Sequence, residues 1–140
     1  MKTLTTLIRL SKRTLDELRK KQVSLENQKA KLQAAIKKLG DELVSEQKVA
    51  AKAPEMGTFY GGFAKRIQGR QNDIRGEIKK LDEQLAALSE EIMVAFSDLK
   101  KYEIALDNKK ARARAEEARK ETIAMDEVAS TGYSRKEHAE

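Results

Sequence analysis

Few side chains in this chain could do covalent or metal chemistry. There is no cysteine and one histidine, His138, which removes thiolate nucleophiles, disulfides and the mixed Cys/His sets that hold zinc. A metal site needs several convergent ligands, and His138 stands alone in the polar stretch STGYSRKEHAE, so it reads as a solvated tail residue. Carboxylate pairs such as Glu90–Glu91 read as solvated helix faces rather than acid–base machinery. GTFYGGF is glycine-rich, but no strand precedes it, so it is not a nucleotide-binding fingerprint. No catalytic residue, cofactor or metal is expected. What remains is the chemistry of recognition, in two clusters.

The first cluster is GTFYGGFAKRIQGRQ, residues 57–71, which holds four of the seven glycines and three of the six aromatics. Tyr60, Phe63 and Ile67 lie at i, i+3 and i+7, on one face of a helix, with Phe59 beside them. Two readings stand side by side. The rings fold over the tip as a hydrophobic cap, or they form a partly exposed docking patch, since aromatics are frequent interface anchors. Only Val49 and Ala50 are available nearby to cover them. Gly61 and Gly62 each cost a helix about 1 kcal/mol relative to alanine and would permit bending or close approach by another chain. The second cluster is charge: residues 1–21 carry seven basic and two acidic side chains, and residues 100–120 carry eight and four. Arg9, Lys12 and Arg13 from the first segment, with Lys109, Lys110, Arg112 and Arg114 from the second, form the expected basic surface.

The elements that position these clusters follow from hydrophobic spacing. Alternate steps of four and three from Leu4 pass through Ile8, Ser11, Leu15, Leu18, Gln22, Leu25, Lys29, Leu32, Ile36, Leu39 and Leu43. The same steps from Ile67 pass through Gln71, Ile74, Ile78, Leu81, Leu85, Leu88, Ile92, Ala95, Leu99, Tyr102 and Leu106. Such a sustained 3.5-residue period marks a coiled-coil seam. Pro54 interrupts it, removing a backbone donor and driving Ala53 from helical geometry. Gly57 is expected to close the first helix in the left-handed conformation, and Thr58 to cap the second.

The predicted architecture is all-α: a long antiparallel two-helix coiled-coil hairpin with an overhanging C-terminal helix. The first helix covers residues 1–53, a turn 54–58, and the second helix 59–129, paired over 59–106 and projecting over 107–129; residues 130–140 form a flexible tail. So short a turn sends the helices back antiparallel. Pairing positions whose numbers add to 110 places Leu4 on Leu106, Leu18 on Ile92, Leu25 on Leu85, Ile36 on Ile74 and Leu43 on Ile67. A total of 117 is the one-heptad alternative, and it sets Ile8 against Lys109.

Composition limits the function classes. At 140 residues this is a single domain at most, with 37% charged and 4% aromatic residues, a balance suited to long helices rather than a wide core. Two helices enclose no pocket that could desolvate a substrate, so an enzyme is not expected. Net charge is +6, concentrated in residues 1–53, with 13 basic and 6 acidic side chains, which suits an acidic protein surface or nucleic acid. No window reaches the ~20 apolar residues of a membrane span, and no targeting segment stands out, so a cytoplasmic protein is expected.

The chain resembles the FliJ family, small coiled-coil proteins of the bacterial flagellar type III export apparatus. The resemblance rests on the amphipathic start LTTLIRLSKRTLDELRKK, the aromatic hinge FYGGFAKRIQ, and FSDLKKYEIALDNKKARARAEEARKETIAMDEVAS, in which KKYEIAL followed by AMDEVA is the most specific part. It implies a non-catalytic stalk, akin to the central stalk of rotary ATPases. The terminal ends of such a stalk enter the hexameric export ATPase and promote its assembly and activity, and another part contacts the membrane export gate and export chaperones. By motif position, Phe63 and Ile67 correspond to gate-contacting residues, and a monomer at the inner-membrane base of the flagellum is implied. The rival readings are a basic nucleic-acid-binding helix pair and a self-assembling scaffold. Acidic residues alternate with basic ones along most of the chain, and Tyr102 is the one aromatic within the basic segments, too few to stack successive bases, so no nucleic-acid partner is expected.

Overall fold

A computed structural model describes residues 1–139, with the side chains of Ser134 and residues 136–139 outside the description; the expectation for His138 falls there. Among the described residues there are two α-helices, α1 (Lys2–Lys52) and α2 (Gly57–Ala139), joined by a 3-10 turn at Pro54–Met56. The fold is an all-α helical hairpin. It divides into two units, Arg13–Ala95 on one hand and Met1–Lys12 with Phe96–Glu140 on the other.

The unit Arg13–Ala95 contains the chain reversal. Pro54 pushes Ala53 to φ −133 and ψ 86, outside the helical region, as its ring does to any preceding residue. The Met56 amide then donates to the Ala53 carbonyl at 2.9 Å, and the Gly57 amide donates to the Pro54 carbonyl. One extended residue and one tight turn therefore reverse the chain. This corrects the role expected of Gly57: it is right-handed, at φ −59 and ψ −38, and among the described residues no φ is positive. The 3-10 turn already supplies hydrogen bonds that a left-handed cap would make. Thr58 lies inside α2 rather than capping it.

α2 begins at Gly57, two residues before the expected start, and runs through 130–139, the segment read from composition as a tail. Pro54 is the only proline in the chain, and an isolated glycine such as Gly132 weakens a helix without ending it.

Within this unit the stripes marked by spacing are the positions withdrawn from solvent. Leu15, Leu25, Leu39, Ile67, Gln71 and Leu88 are buried. Leu18, Leu32, Ile36 and Leu43 of α1, and Ile74, Ile78, Leu81, Leu85 and Ile92 of α2, are half-buried. No described side chain is completely buried, because each helix has one neighbour and covers only one side of the other's stripe. Two polar contacts cross the seam. Gln71 Nε2 donates to the Ile36 carbonyl at 3.2 Å, and Lys29 Nζ pairs with Asp82 Oδ1 at 2.7 Å. The numbers of these pairs add to 107 and 111, on either side of 110 and away from 117.

In the other unit, Leu4, Leu7, Ile8 and Ser11 of α1 are half-buried, as are Asp98, Tyr102, Glu103 and Leu106 of α2. Leu99, at 6% exposed, is its one buried hydrophobic residue among those described. From residue 107 to residue 133 every described side chain is exposed. The stripe has thinned there to Ala113, Ile123 and Val128 among charges, and α1 begins at Lys2.

Candidate functional site

The first candidate site is the face of α2 just after the turn. Phe59 is 59% exposed, and Ile67 only 6%; Tyr60 and Phe63 are half-buried between them. Helix rotation accounts for this gradient. Ile67 occupies a seam position and points at α1, Phe63 sits at the seam's edge and Phe59 has turned outward, while Tyr60, one heptad before Ile67, shares its seam position but lies near the end of α1 and is less covered. Ile67 thus supports the face from beneath and offers little surface to a partner, a correction to its reading as part of an accessible patch. Val49 and Met56, 52% and 41% exposed, leave apolar surface on the other side of the turn. The rings form neither a closed cap nor a fully open patch, and the apolar surface at this end is contributed by Phe59, Met56, Val49 and the outer edges of Tyr60 and Phe63.

The second candidate site is basic. Arg9, Lys12, Lys109, Lys110, Arg112 and Arg114 belong to the unit of the two terminal segments, and all are exposed. The Met1 ammonium is held below its ordinary pKa. The positive charge of Lys109 beside it is the largest cause, followed by desolvation. The start of α1 and residue 109 of α2 are therefore neighbours, and the first and second basic segments meet here. Among the described residues none of the six basic side chains pairs with a carboxylate. Their charges are not neutralised by direct ion pairs, and basic residues outnumber acidic ones in both segments, an excess suited to attracting an acidic surface over about 8 Å at physiological salt. Arg13, the seventh basic residue, belongs to the other unit and pairs with Glu17 at 3.4 Å. With both side chains well exposed, that pair contributes little to stability. Further along α2, Arg119 pairs with Glu116 at 2.9 Å.

Neither site is a cavity. Among the described residues no group of carboxylates or imidazoles could hold a metal, and no helix is long and apolar enough to cross a membrane. A shallow apolar hollow lies on α2, lined by Ala124, Met125, Val128 and Ala129. Spacing had not singled out the pairing of Gln71 with Gly40: a Cβ on Gly40 would stand 3.5 Å from Gln71 Nε2. Gly40 is the only glycine of α1, and that was the available signal. Also unmarked was Lys100, whose ammonium sits 5.3 Å from the Phe96 ring centroid on an exposed face.

Comparison with protein families finds one described as the flagellar FliJ protein, matching residues 1–138. No curated protein and no solved structure matches.

Proposed function

The chain belongs to the FliJ family and is thus a flagellar export-associated protein; from that membership we propose that it is a non-catalytic stalk and adaptor of the flagellar type III export apparatus. Its terminal end inserts into the hexameric export ATPase and promotes assembly and ATP hydrolysis. The end at the turn contacts the membrane export gate, and the protein helps hand over export chaperones from the cytoplasmic side. The observation that carries this reading is the family match across nearly the whole chain.

The unpaired basic cluster supports the assignment of ends. Arg9, Lys12, Lys109, Lys110, Arg112 and Arg114 present positive charge without internal partners among the described residues, which suits acidic groups lining a ring. Arg13 adds to the positive charge of the first segment. At the turn, Phe59, Tyr60 and Phe63 provide an apolar contact for the gate, with Ile67 holding the face in shape. Each end works by surface recognition, so the protein has no need of a pocket. Free in the cytoplasm it is a monomer.

The experiment is ATP hydrolysis by the purified export ATPase with and without this protein. The unaltered chain raises the rate, and the Arg112→Glu, Arg114→Glu double variant raises it less. Phe63→Ala leaves the stimulation intact and weakens capture by the isolated gate domain. Equal stimulation by the charge-reversed chain removes the basic end from the mechanism. No stimulation by the unaltered chain removes the stalk role.

A further inference from the structure

An apolar seam with a seven-residue repeat does not by itself define how two helices align. In the unit Arg13–Ala95 the contacts of Gln71 with Ile36 and Gly40 and of Lys29 with Asp82 correspond to an alignment in which Leu25 comes level with Leu85, Leu32 with Ile78 and Ile36 with Ile74. Sliding one helix by a heptad would instead place Leu25 on Ile92, Leu32 on Leu85, Ile36 on Leu81, Leu39 on Ile78 and Leu43 on Ile74. Every one of those pairs is aliphatic on aliphatic. Over these five pairs the slipped seam is as apolar as the observed one, and it would also relieve Leu39 of a glutamine neighbour; its cost falls elsewhere, where Ile8 would meet Lys109 and Leu88 would meet Lys29.

The polar contacts behave differently. Gln71 is 9% exposed, and its amide donates to the main-chain carbonyl of Ile36 at 3.2 Å. That approach runs past Gly40, where a Cβ would already be in van der Waals contact at 3.5 Å. Any longer side chain there would fill the path. A slide of seven residues carries Gln71 to lie between Leu43 and Gln47, or between Lys29 and Gln33. In place of Gly40 the amide would then face the long side chain of Gln47 or Gln33, which crowds its path to the backbone and leaves a buried polar group to satisfy. The second contact is equally selective. Asp82 meets Lys29 at 2.7 Å as observed, but would meet Ile36 or Gln22 after a slide.

We infer that Gln71 seated against Gly40, together with the Lys29–Asp82 pair, is the device that holds this hairpin in a single alignment. Both contacts are satisfied together in one register and in neither heptad-shifted one. A polar residue in a coiled-coil seam that fixes register at some cost in stability is a known use of such groups. The short turn at Pro54–Met56 is the competing explanation, since it ties the two helices at one end. It leaves room to yield, because α2 opens with the run GTFYGG, which can loop out. The alignment matters at the surface: a one-heptad slide carries Phe63 about 10 Å along α1, at 1.5 Å per residue.

The absence of native cysteine permits a direct test by disulfide trapping. Leu32→Cys with Ile78→Cys reports the observed alignment, and Leu32→Cys with Leu85→Cys reports the slipped one. In the observed alignment residues 32 and 85 are offset by about 10 Å, beyond the Cα separation a disulfide spans. Each reporter is placed on the otherwise unaltered chain and on one carrying Gln71→Leu and Asp82→Ala, then oxidised and resolved without reductant. The unaltered chain closes the 32–78 bridge only. The substituted chain closes both bridges in comparable yield while keeping its helical circular dichroism, since leucine suits the seam at least as well as glutamine. Gly40→Leu, which blocks the path to Ile36 without altering α2, also lets the 32–85 bridge form. If the 32–78 bridge alone forms in both altered chains, the turn sets the alignment and the inference fails.

Discussion

Gly69 and Gly76 offer a quantitative test of whether α2 is regular helix in solution. Both lie well inside α2, and no atom stands within 4 Å of where a Cβ would be at either one. Neither has a positive φ, so alanine fits both backbone and space. Glycine in a helix interior costs about 0.5–1 kcal/mol relative to alanine, through the extra freedom of the unfolded chain. The two sites are seven residues apart, about 10 Å along the axis, far enough for their effects to add within about 0.5 kcal/mol. The Gly69→Ala, Gly76→Ala double variant should therefore gain roughly 1–2 kcal/mol. For a chain of this size that corresponds to a rise in Tm of about 4–8 °C, taking roughly 4 °C per kcal/mol. Thermal melting followed by far-ultraviolet circular dichroism measures it, and urea titration should show a later midpoint with an unchanged slope, because the surface exposed on unfolding is the same. Gly40→Ala should gain no more than either single variant, since its Cβ enters contact with Gln71. An unchanged or lower Tm in the double variant would refute the reasoning, because the added methyl groups would then be meeting something or α2 would be departing from helix there.

Three further outcomes separate seam from surface. Leu88→Ala, at a position 3% exposed, should lose about 2–5 kcal/mol in urea unfolding, while Ile123→Ala, at 48% exposed, should stay within about 0.5 kcal/mol of the unaltered chain; similar losses at both would mean that the 107–133 segment has a partner helix. Phe59→Ala should leave the melting curve in place and weaken binding to the gate, whereas Ile67→Ala should destabilise the fold; a destabilising Phe59→Ala would show the ring to be packed. A double-mutant cycle on Lys29→Ala and Asp82→Ala should return a coupling of about 0.2–1 kcal/mol, as for other partly exposed pairs, shrinking with added salt; no coupling at low salt would remove this pair from the alignment device.

How much of this was legible in the residues depends on how far each feature reaches. The seam could be read because its signal is repeated: Leu25, Leu32 and Leu39 in one helix, and Ile74, Leu81, Leu88 and Leu99 in the other, recur at a spacing that only a paired helix satisfies. The displacement of Ala53 was equally legible, being a local steric effect of Pro54. The handedness at Gly57 was not, because a helix end can be closed by a left-handed residue or by a tight turn, and composition favours neither. Nor was the accessibility of Ile67, whose membership of an aromatic run and of a seam pointed in opposite directions.

By itself, then, the order of residues determined an all-helical chain, one reversal, two apolar stripes and two charged segments, since each follows from periodicity or from contacts within a turn or two. Only the tertiary structure decided that Ile67 faces inward while Phe59 faces out, and that Gln71 reaches the Ile36 carbonyl over Gly40. It also brought Lys109 beside Met1. Those facts depend on which residue of one helix lies opposite which residue of the other, and a seven-residue repeat leaves that offset open until side chains of particular length and polarity meet across it.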